Sequence, residues 1–293
     1  MPPVLKKSTE YEFRLQANTV PELEQVTALF KRVWPANRRF NFTFVEWLYA
    51  RNPNGPAIGY NAFFAGELIA HYVVIPFLVD LHGQRVPSAL ALNTSVDERH
   101  RGQGLFRQLA ERAHERAAEI GIDHIVAIAN ASSTPTFVRH LGFRCVTQLN
   151  VEVLLAPIQI RPEIQTQWRR RWQVEDLAWR LSNPGGNYWR ASNLSKNCHI
   201  VGTTKYPGVH AVLKVEADIE LRRQAETQLV RRANWRPLLW FGKSPQFSSA
   251  ASVSVPLRLR PSPFNFIYRG LKSGSLAPEP EQVHFEAADF DVM

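Results

Sequence analysis

Cysteine is scarce in this sequence, and long apolar runs are absent. The 293 residues include only two cysteines, Cys145 and Cys198, which lie far apart in the chain. This excludes a disulfide framework and a cysteine-based metal site. The nearest approach to the ~20 apolar residues that cross a bilayer is YVVIPFLVDL, which is strand-length and broken by Pro76. Because the first residues also lack the apolar core of a signal peptide, we expect a cytoplasmic protein without a membrane-spanning segment.

Hydrophobic residues and positive charge, in contrast, are plentiful. Hydrophobic residues make up 45% of the chain and tryptophan occurs eight times, which is enough for a packed core. The formal net charge of +9 favours anionic partners, namely nucleic acid, an acidic surface or a phosphorylated small molecule. No spacing of histidine, cysteine and carboxylate residues indicates a metal site. The length allows one large domain or two of ordinary size.

The periodicity of the apolar residues predicts a mixed α/β fold. The predicted order is a strand, two helices, a meander of three strands, a glycine-rich loop, a helix, a strand, a short helix, and one or two further strands. These elements are expected at 11–17, 20–34, 43–51, 60–64, 68–81, 86–96, 105–120, 124–129, 132–142 and 143–155. The meander in the first half of the sheet excludes a doubly wound parallel fold.

The loop with the sequence RHRGQGLFRQL, which precedes the long helix, combines three properties of a phosphate-binding site. Gly102 and Gly104 lack side chains, so a ligand can approach the backbone amides closely. The first turn of the following helix leaves N–H groups unpaired at the positive end of its dipole. Arg99, Arg101 and Arg107 surround the loop with positive charge. We interpret the loop as a pyrophosphate site, and the alternative is a plain turn with a solvated basic face.

Two common phosphate motifs do not fit this loop. A Walker loop requires Lys followed by Ser or Thr after the second glycine, where this sequence has Leu105 and Phe106. A dinucleotide-binding fingerprint requires a third glycine, where this sequence has Arg107.

The segment from Val96 to Gly104, together with the following helix, instead resembles motif A of the GNAT superfamily of N-acetyltransferases. That motif is Gln/Arg-x-x-Gly-x-Gly/Ala, and it is matched to Arg101-Gly102-Gln103-Gly104-Leu105-Phe106. Phe106 departs from the family's usual Gly or Ala and is expected to make the wall of the site bulkier. A second frame that begins at Arg99 also fits the letters, but it would place the helix start two residues late. The order of elements from residue 11 to about 150 is also similar to the GNAT fold.

The resemblance implies that acetyl-CoA, or another acyl-CoA, is the co-substrate. Its pyrophosphate is expected on the backbone amides of Arg101, Gly102, Gln103, Gly104, Leu105 and Phe106. Its pantetheine arm is expected in a gap between the strand that ends at Val96 and the strand at 124–129. There it would pair with the backbone of Thr94 and Val96, with Asn130 beside it.

The residues that would perform acid–base chemistry follow less directly from the sequence. The tyrosine that the family uses as general acid falls at Val138, which has no hydroxyl group. Solvent is one substitute, and three nearby hydroxyl side chains are others: Ser132, Ser133 and Thr136. Asp97 and Glu98 are candidates for the general base, with solvated loop carboxylates as the alternative. Two acids near the end of the chain, Asp289 and Asp291, are further candidates to contact the acceptor, and an edge strand with exposed acids is the alternative. The oxyanion would be held by a backbone amide near Val96.

The second half of the chain contains weak echoes of the first half. EWLYARNPNGP is echoed by AWRLSNPGGNY, and STPTFVRHLGF by PSPFNFIYRGL. Where the glycine loop would be, KVEADIELRR instead carries the carboxylates of Glu216, Asp218 and Glu220, which would repel a pyrophosphate. We therefore expect a GNAT catalytic domain at 1–155 and a degenerate GNAT-like domain at 156–293, which lacks the phosphate loop and helps to form the acceptor site. Coincidence among short apolar segments is the alternative.

The predicted function is an acyl-CoA-dependent N-acyltransferase that acetylates a primary amine of a small molecule, with a free or nucleotide-linked amino sugar suggested by the charge. One alternative is an aminoacyl-tRNA-dependent transferase of the tandem-GNAT type. Another is a non-catalytic module that binds CoA or nucleic acid, which the missing tyrosine favours. The basic and aromatic stretch QWRRRWQ is a weak indication of nucleic-acid binding, and a solvated helix or linker face is the better interpretation.

Overall fold

The computed structural model describes residues 10–192, 197–204, 206–234 and 237–290. Its α-helices are α1 (Val20–Val33), α2 (Phe42–Ala50), α3 (Leu105–Glu119), α4 (Thr134–His140), α5 (Val174–Leu181) and α6 (Ile219–Gln228). The strands up to residue 170 are β1 (Glu12–Leu15), β2 (Ile58–Phe64), β3 (Glu67–Leu81), β4 (Gln84–Val96), β5 (His124–Ala129), β6 (Arg144–Gln148), β7 (Asn150–Leu154), β8 (Ile158–Ile160) and β9 (Trp168–Arg170). The later strands are β10 (Tyr188–Ser192), β11 (Cys198–Thr203), β12 (His210–Glu216), β13 (Arg232–Asn234), β14 (Leu238–Lys243), β15 (Phe247–Ser249), β16 (Ser252–Ser254), β17 (Asn265–Gly270) and β18 (Val283–Glu286). Within these described ranges, no helix combines the length and apolar character needed to cross a membrane.

The first sheet has the mixed topology that the periodicity predicts. Strands β1, β2, β3 and β4 run antiparallel to their neighbours, and β5 then joins β4 in parallel. Most of β3 is buried on both faces, because helices cover the two sides of the sheet. On one side, Ala110, Ala113 and Ala117 of α3 are fully buried, and their small side chains allow the helix to lie close to the strands. On the other side, α1 and α2 cover the sheet with aliphatic and aromatic side chains.

The second half repeats this order of elements. Strands β10, β11 and β12 form an antiparallel meander, α6 follows, and β14 then lies parallel to β12. This is the arrangement of β2, β3, β4, α3 and β5. Strands β9 and β18 connect the two meanders, so that one 16-stranded sheet runs through both halves.

Each half also receives one strand from the other half. Strand β17, from the end of the chain, lies antiparallel between β5 and β6. Strand β7, from the first half, lies antiparallel between β14 and β16. The predicted echo between STPTFVRHLGF and PSPFNFIYRGL is therefore wrong, because the first segment contains helix α4 and the second contains strand β17.

The exchanged strand β17 is attached to the first half by a buried polar contact as well as by its backbone. Arg269 of β17 donates from Nη1 to Nδ1 of His114 on α3, at 2.6 Å. The Nε2 atom of His114 lies 2.8 Å from the Tyr72 hydroxyl. Burial lowers the pKa of His114 to about 3, so the neutral imidazole accepts from Arg269 and donates to Tyr72.

A reciprocal tryptophan pair joins the two halves at equivalent positions. Trp47 on α2 and Trp179 on α5 stack with 4.7 Å between ring centroids and an interplanar angle of 16°. Each indole N–H donates to the backbone carbonyl of the other residue, at 2.9 and 3.0 Å. Because both residues come from the echoed segments EWLYARNPNGP and AWRLSNPGGNY, the contact relates the two halves by a local twofold pattern.

Candidate functional site

The glycine loop presents open space above its backbone. Gly102 and Gly104 have φ angles of 78° and 69°, in the left-handed region that glycine adopts without steric cost. A Cβ atom added at Gly102 would meet nothing within 4 Å, and one at Gly104 would meet only Nε2 of Gln108 at 3.9 Å. Helix α3 begins at Leu105, directly after the second glycine. The first amides of the helix and the loop therefore face a space that an anion can enter.

The position of the helix start also decides between the two ways of aligning the loop. Because Gly104 is the N-cap of α3, both glycines of the frame that begins at Arg99 lie in the loop. Phe106 lies in the first turn of the helix. Its ring packs against Tyr72 and Phe137, with centroids 5.9 and 5.3 Å apart. The objection that the Arg99 frame delays the helix is therefore wrong, and the structure favours that frame.

The arginines around the loop are partly neutralised by carboxylates. Arg99 forms ion pairs with Asp97 at 2.9 Å and with Glu67 at 3.5 Å. Arg107 pairs with Glu111 at 2.7 Å, one helical turn further along α3. Arg101 is held more loosely, with Nε 3.4 Å from the Val96 carbonyl. Arg101 is therefore the arginine most readily available to a ligand on the loop.

Strands β4 and β5 separate beside this loop. Their parallel pairing runs from Ser88–His124 to Leu90–Val126 and goes no further. On its other side, β4 changes register against β3, and Asn93 has a φ angle of 54° at that irregularity. The predicted gap between the two strands is therefore present after Leu90, and a β-bulge bends β4 a few residues further on.

This gap is part of a cleft of about 1140 Å³, which we call the open cleft. It extends from the glycine loop, between β4 and β5, to the segment that connects α1 and α2. Its lining residues are Val33, Trp34, Asn37, Phe40, Ala91, Leu92, Asn93, Thr94, Ser95, Val96, His100, Arg101, Gly102, Gly104, Leu105, Phe106, Arg107, Ala127, Ile128, Ala129, Asn130, Ser132, Ser133, Thr136, Phe137, His140 and Phe290. Phe290 brings the second half of the chain to the cleft.

Most of the candidate site residues meet in the open cleft. Those that line it are Thr94, Val96, Arg101, Gly102, Gly104, Leu105, Phe106, Asn130 and Ser132. Gln103, Asp97 and Glu98 do not line it. The roles assigned to all of these residues remain predictions, but the geometry brings the loop, the strand and the asparagine together as one surface.

Both carboxylate oxygens of Asp97 accept hydrogen bonds from arginine, and Asp97 does not line the cleft. Its Oδ1 atom accepts from N and Nε of Arg99, and its Oδ2 atom accepts from Nη2 of Arg99. Arg32 approaches Oδ2 at 3.4 Å. These hydrogen bonds, with Arg99 as the main cause, hold the pKa of Asp97 far below its usual range. Glu98 has a side chain that is 88% exposed and lies 3.9 Å from Arg101.

Asn130 stabilises the turn that leads into helix α4. Its side-chain oxygen accepts from the backbone N–H groups of Ser132 and Ser133 and from the Ser132 hydroxyl. Along α4, the side chains at Thr136 and His140 line the cleft, whereas Val138 is 39% exposed and does not. Val138, which is predicted to stand at the position of the family's tyrosine, is thus on another face of this helix.

A buried polar chain behind β4 was missed by the sequence analysis. Nδ2 of Asn93 donates to the Tyr49 hydroxyl at 3.4 Å, and that hydroxyl lies 3.0 Å from Nε2 of His71. Nδ1 of His71 is 2.6 Å from Oδ1 of Asn61. Burial raises the pKa of the Tyr49 hydroxyl and lowers the pKa of His71 to about 3, so both are neutral. No sequence signal identifies this series of hydrogen bonds, because its four residues come from four separate elements.

Ser95 is a second residue of interest on β4. It lines the open cleft, is 3% exposed, and its hydroxyl group has no hydrogen-bond partner among the described residues. A buried hydroxyl group without a partner costs free energy, so Ser95 is suited to bind a ligand or a water molecule in the cleft.

Asp289, one of the two candidate acids near the end of the chain, does not line the open cleft. Asp289 is 2% exposed and accepts from Nε1 of Trp172 at 3.0 Å, away from the cleft lining. Asp291 lies outside the described residues. In the part of the chain that the structure describes, no three His, Cys, Asp or Glu side chains come together as a metal site.

Part of the sequence matches a known protein family, and the fold resembles that of several solved structures. Residues 15–146 match the family model of the acetyltransferase (GNAT) domain. No curated protein matches the sequence. Among solved structures, the chain resembles a protein of unknown function from Enterococcus faecalis, described as a probable N-acyltransferase, with 12% identity, 90% of this chain and 73% of that chain covered, and a TM-score of 0.56.

Two further structures resemble the chain at a similar level. A GCN5-related N-acetyltransferase from Anabaena variabilis has 11% identity, with 89% of this chain and 73% of that chain covered and a TM-score of 0.56. Eis1 from Mycobacterium abscessus has 14% identity, with 89% and 74% covered and a TM-score of 0.51. These likenesses concern the fold, and they extend over both halves of the chain.

Proposed function

We propose that this chain is an acyl-CoA-dependent N-acyltransferase that acetylates a primary amine of a small molecule, because residues 15–146 match the family model of the acetyltransferase (GNAT) domain. The observation that carries the proposal is the junction of the glycine loop with the gap between β4 and β5. An anion-binding loop that opens into a long slot between two strands fits a ligand with a pyrophosphate at one end and a thin arm at the other.

The residues around the open cleft fit acyl-CoA. Gly102 and Gly104 leave the amides of the loop and of the first turn of α3 accessible, and Arg101 adds charge beside them. Beyond Leu90, the backbone of β4 faces the gap and can pair with an extended arm. Asn130 stands at the end of β5, next to the gap. Acyl-CoA would supply the activated thioester carbonyl.

The charge of the cleft suits an amine in its neutral form. None of the described residues that line the cleft is a carboxylate, whereas Arg101 and Arg107 do line it. Positive charge nearby disfavours an ammonium ion and favours the free amine, which is the nucleophilic form. We propose that Asn93 and Ser95 orient the amine, and that holding it next to the thioester supplies much of the rate.

Thr136 is the hydroxyl that we propose to assist the departing thiolate. It lines the cleft on α4. The hydroxyl of Ser132, by contrast, donates to Asn130 at 2.8 Å and is therefore already engaged. We propose that Asp97 shapes the loop through Arg99 and does not act as the base.

We further propose that 156–293 is a GNAT-like domain without a phosphate loop, following a catalytic domain at 1–155. Its support is the repeated order of elements and the reciprocal Trp47–Trp179 contact. The second half contributes Phe290 to the open cleft. A non-catalytic CoA-binding module is the second candidate, favoured by Val138 and by the lack of a lining carboxylate among the described residues.

A single assay tests the proposal. The protein is incubated with acetyl-CoA and a panel of primary amines that includes amino sugars, amino acids and diamines, and free thiol is measured. Amine-dependent thiol release is expected. Thermal protection by acetyl-CoA without release for any amine would overturn the transferase and favour the binding module, and protection by tRNA alone would favour a tRNA-dependent transferase.

A matched pair of variants tests whether Thr136 takes part in the chemical step. Thr136→Val should lower kcat by about tenfold or more, as expected for loss of a proton donor, while the KM for acetyl-CoA changes little. Thr147→Val, on β6 and outside the cleft, is the control and should leave both constants unchanged. Equal kcat values for the two variants would remove Thr136 from the mechanism.

A further inference from the structure

The end of the open cleft opposite the glycine loop is lined mainly by apolar side chains. We call it the aromatic end, and its residues are Val33, Trp34, Asn37, Phe40, Leu92 and Phe290. None of the six carries a charge. The arginines that line the cleft, Arg101 and Arg107, belong to the glycine loop and to the first turn of α3. The cleft therefore has a positive end and an apolar end.

One side of the aromatic end is a stacked pair of rings. The ring centroids of Trp34 and Phe40 lie 5.0 Å apart, with an interplanar angle of 26°. The backbone turns back between them, because the Asn37 amide donates to the Trp34 carbonyl at 2.9 Å. Both rings also pack against the fully buried Phe30, with centroids 5.4 and 4.8 Å away. Since Trp34 and Phe40 are themselves only partly buried, they present a fixed aromatic surface to the cleft.

Phe290 forms a second side of the aromatic end, and Leu92 of β4 connects the two sides. Leu92 packs, together with Trp34 and Phe40, against the core beneath α1 and α2. It also packs, together with Phe290, against the separate core around Trp168. Phe290 belongs to the second half of the chain and is partly buried, like the stacked pair. The aromatic end is thus built from both halves, with rings on two sides and an aliphatic side chain between them.

The aromatic end is the part of the cleft that the donor would leave free. If the glycine loop binds the pyrophosphate and the gap beyond Leu90 binds the arm, the thioester lies between β4 and β5. Leu92 and Asn93 line the cleft just past the point at which these strands separate. An amine that Asn93 holds beside the thioester therefore extends the rest of its molecule towards the aromatic end.

We propose that the acceptor amine carries an aromatic ring, which binds at the aromatic end against Trp34 and Phe290. This inference rests on the proposed function, and it narrows the acceptor to arylalkylamines, in which a short chain joins the ring to the amine. Aromatic rings attract one another in stacked and edge-to-face arrangements, and burial of their apolar surface adds to the affinity. A polyamine fits less well, because none of the described residues that line the cleft is a carboxylate that would bind its charges.

The first test measures binding without turnover. The protein is saturated with CoA, which carries no acyl group to transfer, and 2-phenylethanol, an uncharged analogue of 2-phenylethylamine, is titrated by calorimetry. Its affinity should fall at least about tenfold in Trp34→Leu/Phe290→Leu, a loss of about 1.4 kcal/mol, because both rings are replaced by smaller apolar groups. The control is Phe13→Leu/Phe247→Leu, which removes two partly buried rings outside the cleft. The affinity for CoA, measured first, should be the same in all three proteins.

The second test compares three acceptors in the assay of thiol release, namely 2-phenylethylamine, ethanolamine and spermidine. In the native protein, kcat/KM for 2-phenylethylamine should exceed that for each of the others at least about tenfold. This ranking does not depend on whether a variant folds. The ratio of 2-phenylethylamine to ethanolamine should then fall at least about tenfold in Trp34→Leu/Phe290→Leu and stay constant in the control. Equal kcat/KM for all three acceptors in the native protein would overturn the proposal.

A long acyl chain of the donor is the competing occupant of the aromatic end. Acetyl-CoA and octanoyl-CoA are therefore compared with the same amine. If Trp34→Leu/Phe290→Leu changes the preference between the two donors and leaves the preference between the acceptors unchanged, the aromatic end binds the acyl chain and the proposal is overturned.

The two tests separate this proposal from the proposed function. If no amine is acetylated, the proposed function fails, while the binding of 2-phenylethanol still decides whether the aromatic end binds a ring. If 2-phenylethanol does not bind, or binds with equal affinity to both double variants, the aromatic end is not such a site, whatever the assay of thiol release shows.

Discussion

The two halves of the chain contain the same strand separation and use it differently. In the first half, β4 and β5 part after Leu90 and Val126, and the gap stays open as a cleft. In the second half, β12 and β14 part after Val212 and Trp240. There the gap holds protein, and we call it the filled cleft. Strand β18 pairs with the end of β14, and Glu286 places its carboxylate on the Val215 amide at 2.6 Å.

The two loops beside these gaps differ in the same way. In the filled cleft, the carboxylate of Glu216 accepts from the amides of Ala217 and Asp218. The carboxylate of Asp218 accepts from the amides of Glu220 and Leu221 at the start of α6. These carboxylates bind the kind of backbone N–H groups that the glycine loop leaves accessible to a ligand. The same arrangement of strands and helix can therefore form a binding site or packed interior. It forms packed interior where carboxylates of the chain itself bind the backbone N–H groups, and a binding site where these groups are left for an external anion.

A buried ion cluster completes the filled cleft. Lys214 is 1% exposed and lies 3.0 Å from Glu286 and 3.1 Å from Glu216. Asp289 accepts from the Glu286 amide, and burial raises the pKa of this aspartate. The cluster is thus connected to the segment from β18 to Asp289, which fills the gap. Substitutions in the cluster therefore test whether the filled cleft and the open cleft differ as described.

The largest effect is expected from Lys214→Met. The substitution leaves two buried carboxylates without their cation and should lower the free energy of unfolding by about 3–5 kcal/mol. Lys243→Met, which breaks the pair with the exposed carboxylate of Glu281, is the control and should cost no more than about 1 kcal/mol. Urea unfolding measures both. Equal losses in the two variants would show that the filled cleft is not held by its ions.

A smaller effect, confined to the open cleft, is expected from Gly104→Glu. The added carboxylate enters the anion site and forces a side chain onto a backbone with φ of 69°, so the affinity for CoA should fall at least about 100-fold, or about 2.8 kcal/mol. Gly66→Glu is the control, because Gly66 also has positive φ and open space but lies in the β2–β3 turn.

Calorimetry on these proteins also counts the sites. The native chain and the Gly66 variant should bind one CoA each, because the filled cleft offers no second site. Two molecules per chain, or unchanged affinity in Gly104→Glu, would contradict the distinction between the clefts.

The smallest effect is a dependence on pH. Burial alone would raise the pKa of Glu286, but Lys214 and hydrogen bonds from His284 and the Val215 amide lower it to about 2. A depressed pKa gives stability that is present above the ordinary value of 4.5 and is lost as the pH falls towards 2. The difference in unfolding free energy between the native protein and Glu286→Gln should therefore be constant near neutral pH and shrink at lower pH.

The expected slope is at most about 1.4 kcal/mol per pH unit, because a single proton is involved. Unfolding curves at several pH values above and below 4.5 measure the difference. A difference that does not change with pH would mean that the Glu286 carboxylate is not held in its charged form by the cluster.

Sequence patterns predicted the first half of the fold well because its signals are local. The alternation of meander strands, the glycines at turns and the apolar face of α3 each depend on neighbouring residues. The exchange of β7 and β17 was not predictable in this way. An apolar strand carries no mark of which sheet it will join, and PSPFNFIYRGL looked like the counterpart of a helical segment.

In the candidate site, too, only the features with local sequence signals could be predicted. The glycine loop was evident from its own residues, since the conformation and the charge are both encoded within a few positions. Asp97 and Ser132 were ambiguous because their partners, Arg99 and Asn130, decide whether they are available. The hydrogen bonds from Asn93 through Tyr49 to His71 depend on contacts between distant segments that no spacing in the sequence indicates.

The strand exchange has a consequence for how the protein is made. As the chain leaves the ribosome, β5 and β6 are synthesised long before β17, the strand that separates them in the finished sheet. Until residue 270 has been translated, the nascent first half presents two unpaired strand edges, which are sites for wrong pairing and aggregation. Closing such a long loop is also entropically slow. The order of synthesis and the order of assembly therefore differ, and we expect the last step of folding to complete both halves at once.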